Sequence, residues 1–200
     1  MRSSLILASG SEYKRSLLGR LGLSFETRAA SIDEESRPGE TPGQTARRLA
    51  SAKADEVSAT HPDSFVLGAD QVISLDGQRL RTPGGRSAAK VQLERLQGRC
   101  HDLICAVALT TPGGENYIES VAFEMHMRSL SEAAIEQYLD ADEPYDCVGA
   151  YKIESAGIRL FRALRGDDYT AIIGLPLTRV WNILETAGYF TDAESRPPRR

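Results

Sequence analysis

Short apolar runs and helix-period segments take turns along this chain, and that alternation, more than any other feature, limits what it can fold into. Leu5-Ile6-Leu7-Ala8 reads as a buried strand. After Ser9-Gly10-Ser11 a helical pattern puts Tyr13, Leu17, Leu18 and Leu21 on one face until Gly22 stops it. A strand over Phe25 to Ala29 leads through an acidic loop to Thr41-Pro42-Gly43-Gln44. That quartet is a helix start, with Thr41 as N-cap, proline at the first helical position and Gln44 closing a capping box, and the helix should reach about Val57. Phe65 to Leu75 is extended and turns at Asp76-Gly77. Ser87 to Leu96 predicts a helix, and His101 to Thr110 with Tyr117 to Met127 predicts a hairpin through Pro112-Gly113-Gly114. Within the second of these strands Val121, Phe123, Met125 and Met127 alternate with polar or small neighbours, the period of a half-buried strand. Short helices over Ser131 to Leu139 and Leu175 to Ala187 complete an α/β pattern.

Charge and composition narrow the partners. Lys plus Arg number 24 and Asp plus Glu 28, for a formal charge of -4, so a nucleic-acid polymer meets no general attraction and any phosphate binding must be local. The longest apolar stretch, Ile104 to Leu109, is far short of the roughly 20 residues a membrane helix needs. The apolar run near the N-terminus is also too short for a signal-peptide core, and a cytoplasmic location is expected. Cys100, Cys105 and Cys147 are odd in number and lack Cys-x-x-Cys spacing, which predicts buried reduced thiols rather than disulfides or zinc. After Phe190 the chain is polar and proline-rich, so residues 1–190 are expected to form one domain and residues 191–200 a disordered tail.

Several residues could carry chemistry. Ser9-Gly10-Ser11 between a strand and a helix, with Lys14 and Arg15 one turn on, suits a serine N-cap beside solvated bases more readily than an oxyanion site, which the same small residues would also admit. Lys53 falls among Ala46, Leu49, Ala50 and Val57 on the inward helix face, so its ammonium either snorkels to water or points into a crevice at a phosphate. Asp70 reads as a carboxylate at the end of a buried strand, placed to ligate a hard cation, to take a proton from water, or to cap a local turn. One carboxylate of Asp33-Glu34-Glu35 could complete an oxygen-rich metal site. Asp167 and Asp168 read as turn residues, and the three histidines as structural or surface groups.

Six segments in order, Leu7-Ala8-Ser9-Gly10-Ser11 with Lys14-Arg15, Asp33-Glu34, Arg48-Leu49-Ala50 with Lys53-Ala54, Gly68-Ala69-Asp70-Gln71, Gly149-Ala150-Tyr151 and Gly174-Leu175-Pro176-Leu177, resemble the Maf family of nucleoside triphosphate pyrophosphatases. The resemblance implies an elongated mixed sheet with flanking helices, of the inosine-triphosphate-pyrophosphatase type, with two lobes around a cleft, as a homodimer. It implies cleavage of a nucleotide to its monophosphate and pyrophosphate with a divalent cation, Mg, Mn or Co. By the same resemblance Ser9, Ser11, Lys14 and Lys53 hold the triphosphate, Glu34 and Asp70 serve the metal and the attacking water, with Asp70 as general base, and Arg15 is counted among the substrate-binding residues. Gln71, Tyr13, Lys152 and Glu154 resemble the branch acting on 7-methyl-GTP. Tyr13 would stack on the cationic base, and Glu154 would accept hydrogen bonds from its N1 and amino edge. Thr82 replaces a lysine usual in the family, so one phosphate-binding charge is either missing or supplied by Arg81; Glu12 and Lys14 also depart, from proline and arginine. The alternatives are a dTTP/UTP pyrophosphatase and a low-turnover nucleotide-binding regulator linked to cell division.

Overall fold

A computed structural model describes residues 4–190, so the expected tail at 191–200 lies outside the described residues. Seven strands, β1 (Leu5–Leu7), β2 (Glu26–Thr27), β3 (Phe65–Leu75), β4 (Gln78–Arg79), β5 (Cys100–Thr110), β6 (Asn116–Met127) and β7 (Phe161–Arg165), form one sheet. Its order is β2-β1-β3-β5-β6-β7, with β4 on β3. β1 pairs in parallel with both β2 and β3, whereas β4 on β3 and β7 on β6 are antiparallel, so the sheet is mixed. The helices are α1 (Glu12–Gly19), α2 (Pro42–Ser58), α3 (Arg86–Leu96), α4 (Glu132–Asp142), α5 (Thr170–Ile173) and α6 (Leu177–Thr186).

The described residues divide into two compact units, one of residues 4–71, 105–121 and 168–190, the other of 72–104 and 122–167. In the first unit, side chains alternate across the sheet as a two-residue period requires. Leu5, Leu7, Leu67 and Ala69 join Leu17 and Leu18 of α1 and Val180, Ile183 and Leu184 of α6 in one buried cluster. The opposite face of β3, at Gly68 and Asp70, meets α2. A Cβ at Gly68 would lie 2.1 Å from the Ala50 carbonyl oxygen and 2.8 Å from the Ala54 nitrogen, so only glycine admits the α2 backbone here. The capping box that starts α2 is formed: Thr41 Oγ1 accepts the Gln44 N–H and Gln44 Oε1 accepts the Thr41 N–H.

Some expectations need correction. α1 ends at Gly19, and Gly22, at φ 69°, closes a separate turn rather than the helix. Tyr13 is 37% exposed and does not share the buried face of Leu17 and Leu18. Asp70 sits within one continuous strand, not at a strand end; it is the parallel pairing with β1 that stops at Leu67, three residues earlier. Of the thiols only Cys105 is fully buried, and Cys100 is exposed. β7 and α5 were not foreseen.

In the second unit His101 is buried against Tyr151 and Phe161, with Nε2 3.0 Å from the Tyr151 hydroxyl and Nδ1 without a hydrogen-bond partner among the described residues. Burial, aided by the charge of His126, lowers its pKa to about 4 from 6.5. Between these values the unfolded chain binds the extra proton, so His101 adds stability that is complete above about 6.5 and is lost as the pH falls toward 4. This contribution amounts to about 3 kcal/mol. Denaturant titrations at pH 7 and pH 4.5 should show His101→Gln losing less stability on acidification than the parent; equal losses would contradict this reading.

Candidate active site

Position 53 on α2 and position 70 on β3 face each other across the tight contact at Gly68, and the loop before α2 brings in Glu34. Lys53 Nζ lies 2.7 Å from Asp70 Oδ1 and 2.7 Å from Glu34 Oε1. The lysine therefore does not snorkel to water: its side chain is only 14% exposed and its ammonium bridges two carboxylates. Burial opposes that positive charge, but Asp70 and Glu34 outweigh it and raise the lysine's pKa. Burial of Asp70 raises its own pKa against the pull of Lys53 and Lys14. Asp70 Oδ2 is buried with no hydrogen-bond partner among the described residues. An orphaned carboxylate oxygen is costly, and a cation or a proton donor from outside the protein would relieve it.

Lys14 projects from α1 toward the same centre, 3.8 Å from where a Cβ on Gly174 would stand. Burial lowers its pKa, Lys53 adds to the effect, and Cys105, Asp70 and Glu34 oppose it. The Ser9-Gly10-Ser11 turn is built as a helix start: Ser11 Oγ accepts the Lys14 N–H, and Ser9 Oγ accepts the Ser11 N–H at 3.1 Å. Gly10 would tolerate a Cβ, whose nearest neighbour is at 3.6 Å, so packing within the protein does not require glycine there. Arg15 is exposed and pairs with Glu12 at 3.0 Å.

Gln71 gives both amide hydrogens to carbonyls of α5, those of Ala171 at 2.9 Å and Ile172 at 2.8 Å, leaving Oε1 as its atom for other contacts. α5 is fixed in turn by Asp168. This residue is no ordinary turn former: buried at 4% exposure, its carboxylate accepts the N–H and hydroxyl of both Thr170 and Thr178. Sequence reading missed that role, although the threonines at 170 and 178 were its signal.

Arg81, Lys152 and Glu154 belong to the second unit. Arg81 and Glu154 are exposed; Lys152 is half-buried, with Nζ 3.2 Å from the Asp142 carbonyl and 3.4 Å from Asp146 Oδ1.

The family model described as Maf-like protein matches residues 4–187. The chain belongs to the Maf-like protein family. A relative from Xanthomonas axonopodis pv. citri (strain 306), a 7-methyl-GTP pyrophosphatase, is 44% identical over 92% of this chain and 97% of its own length. A 7-methyl-GTP pyrophosphatase from Bordetella pertussis is 46% identical over 92% of each chain. Among solved structures, the Staphylococcus aureus Ham1 protein aligns with a TM-score of 0.52 over 92% of this chain and 100% of that one; at 11% identity the likeness concerns the fold alone. The Maf chain thus has the mixed sheet and flanking helices expected of it. No helix among the described residues is long and apolar enough to cross a membrane.

Proposed function

We propose that this Maf protein hydrolyses 7-methyl-GTP to 7-methyl-GMP and pyrophosphate. The observation that carries the chemistry is the convergence of Asp70, Glu34 and Lys53 within 2.7 Å contacts, with Lys14 beside them. The names of relatives at 44% and 46% identity support the choice of nucleotide.

Asp70 Oδ2 takes a proton from the attacking water, and the raised basicity that burial confers suits it to that task. The new bond forms between water oxygen and the α-phosphorus. The bond from that phosphorus to the bridging oxygen breaks, and pyrophosphate leaves with its charge met by Lys14 and Lys53, with Ser9 and Ser11 as hydroxyl donors. On the family resemblance alone, Arg15 and Arg81 are assigned to substrate binding.

A divalent cation, Mg, Mn or Co, belongs to the proposal, and the residues present fit it. No three His, Cys, Asp or Glu side chains converge among the described residues, but two carboxylates with one orphaned oxygen match how magnesium binds, through one or two carboxylates with substrate phosphates and water. Glu34 and Asp70 would hold it, and when bound it would supply Lewis-acid neutralisation of phosphate charge. Tyr13 and Glu154 are assigned to the base, because a 7-methylated guanine is cationic and offers N–H donors to a carboxylate. Lys152 and the Oε1 of Gln71 complete the proposed contacts. Homodimerisation, taken from the family resemblance, and residence in the cytoplasm belong to the same proposal.

Assays of 7-methyl-GTP, GTP, UTP and dTTP with each metal should give the highest kcat/KM for 7-methyl-GTP, with pyrophosphate as product. Preference for UTP or dTTP would establish the pyrimidine alternative, and tight binding without turnover would establish the regulator.

A further inference from the structure

The turn that carries Lys152 and Glu154 is clamped onto the end of α4 by one carboxylate. Asp142 Oδ1 accepts the Ser155 hydroxyl at 2.8 Å and the Ala156 N–H at 3.4 Å, and Oδ2 accepts the Gly157 N–H at 3.1 Å. The Asp142 carbonyl accepts Lys152 Nζ at 3.2 Å, and the buried Tyr138 hydroxyl accepts the Lys152 N–H at 2.9 Å. The turn also closes on itself. Lys152 O accepts the N–H of Ser155 and of Gly157, and a Cβ at Gly157 would lie 2.3 Å from that oxygen.

An aspartate in the last turn of a helix opposes the helix dipole, so Asp142 is not explained by the needs of α4. Three of its donors come from residues 155–157, directly after Glu154, and the Tyr138 hydroxyl that receives the Lys152 N–H is hydrogen-bonded to it as well. Glu154 itself is exposed, between the anchored Lys152 and the anchored Ser155. An exposed glutamate on a loose turn would lose backbone as well as rotamer freedom each time it bound a ligand, and on a turn already fixed only the rotamer part remains to be lost.

We propose that Asp142 is a positioning residue for nucleobase recognition: it holds the 152–157 turn so that Glu154 meets the base pre-ordered. This rests on the assignment of Glu154 to the base. The role predicts an effect on binding of the base and none on the phosphates.

The test measures kcat and KM for 7-methyl-GTP, with inhibition constants for 7-methyl-GMP and for pyrophosphate. The enzymes are the parent, Asp142→Asn, Ser155→Ala, Glu154→Ala and the Asp142→Asn/Glu154→Ala double variant. Asparagine turns an N–H toward one set of donors, so Asp142→Asn and Glu154→Ala should each raise KM and the 7-methyl-GMP constant about tenfold, the effect of losing one charge-assisted hydrogen bond. kcat and the pyrophosphate constant should stay within about twofold. Ser155→Ala should move the same way by less, and it carries the test should Asp142→Asn melt before assay. The double variant should be no worse than Glu154→Ala alone, since the anchor acts through that residue.

Multiplying penalties in the double variant, a matching loss for pyrophosphate, or an unchanged 7-methyl-GMP constant in both Asp142→Asn and Ser155→Ala while Glu154→Ala weakens it would overturn the positioning role and leave the base assignment standing. Unchanged 7-methyl-GMP binding in Glu154→Ala would overturn that assignment, and the anchor's role with it.

Discussion

Asp70→Asn is expected to cut kcat on 7-methyl-GTP by about 10²- to 10⁴-fold, the range lost with a general base, while the protein stays folded. The amide keeps the shape of the carboxylate but cannot hold the water's proton. Stability should change little for two reasons. The substitution removes a buried charge that burial already disfavours, and Lys53 keeps Glu34 at 2.7 Å, so its ammonium is not left alone. Circular dichroism melts alongside single-turnover kinetics separate the two effects. Substantial turnover in Asp70→Asn would remove the residue from the base role, and a collapsed fold would recast it as a structural ion-pair partner.

Gly68→Ala should be the most damaging small substitution in the first unit. The added methyl would stand 2.1 Å from a backbone oxygen and 2.8 Å from a backbone nitrogen of α2, and neither atom is the end of a flexible side chain. α2 must then move off β3, or β3 must bend. Overpacking of this kind costs about 1–3 kcal/mol, which lowers Tm by roughly 2–12 °C in a chain of this size. Because Gly68 and Asp70 lie on one face of β3, the same displacement draws Lys53 from Asp70, so kcat/KM should also fall even where the variant remains folded. A Gly68→Ala protein with parental Tm and kinetics would mean that the close approach of α2 is not what aligns the centre.

The features legible in the sequence were those whose cause is local. Thr41, Pro42 and Gln44 lie within four positions of each other and cap α2 as their chemistry dictates. Val121, Phe123, Met125 and Met127 alternate and are buried on β6. Lys53 stood out because a helical wheel put a charge among apolar residues, and that anomaly marked the candidate site. What local spacing could not show were contacts between distant positions. Gln71 reaches the carbonyls of Ala171 and Ile172, about a hundred residues away, and nothing around Gln71 announces α5. Asp168 looked like an ordinary turn acid because its partner Thr178 is set by tertiary packing, and the bond from the Gly157 N–H to Asp142 depends on packing in the same way. Gly68 could be read as part of a motif, but the reason for glycine there appears only once α2 lies across it.

The most direct measurement of the central claim is the fate of water oxygen when the enzyme turns over 7-methyl-GTP in H₂¹⁸O. A water activated at Asp70 and directed to the α-phosphorus must leave one ¹⁸O in 7-methyl-GMP and none in pyrophosphate, read by mass spectrometry of both products. Label in pyrophosphate, or release of orthophosphate with 7-methyl-GDP, would contradict the account.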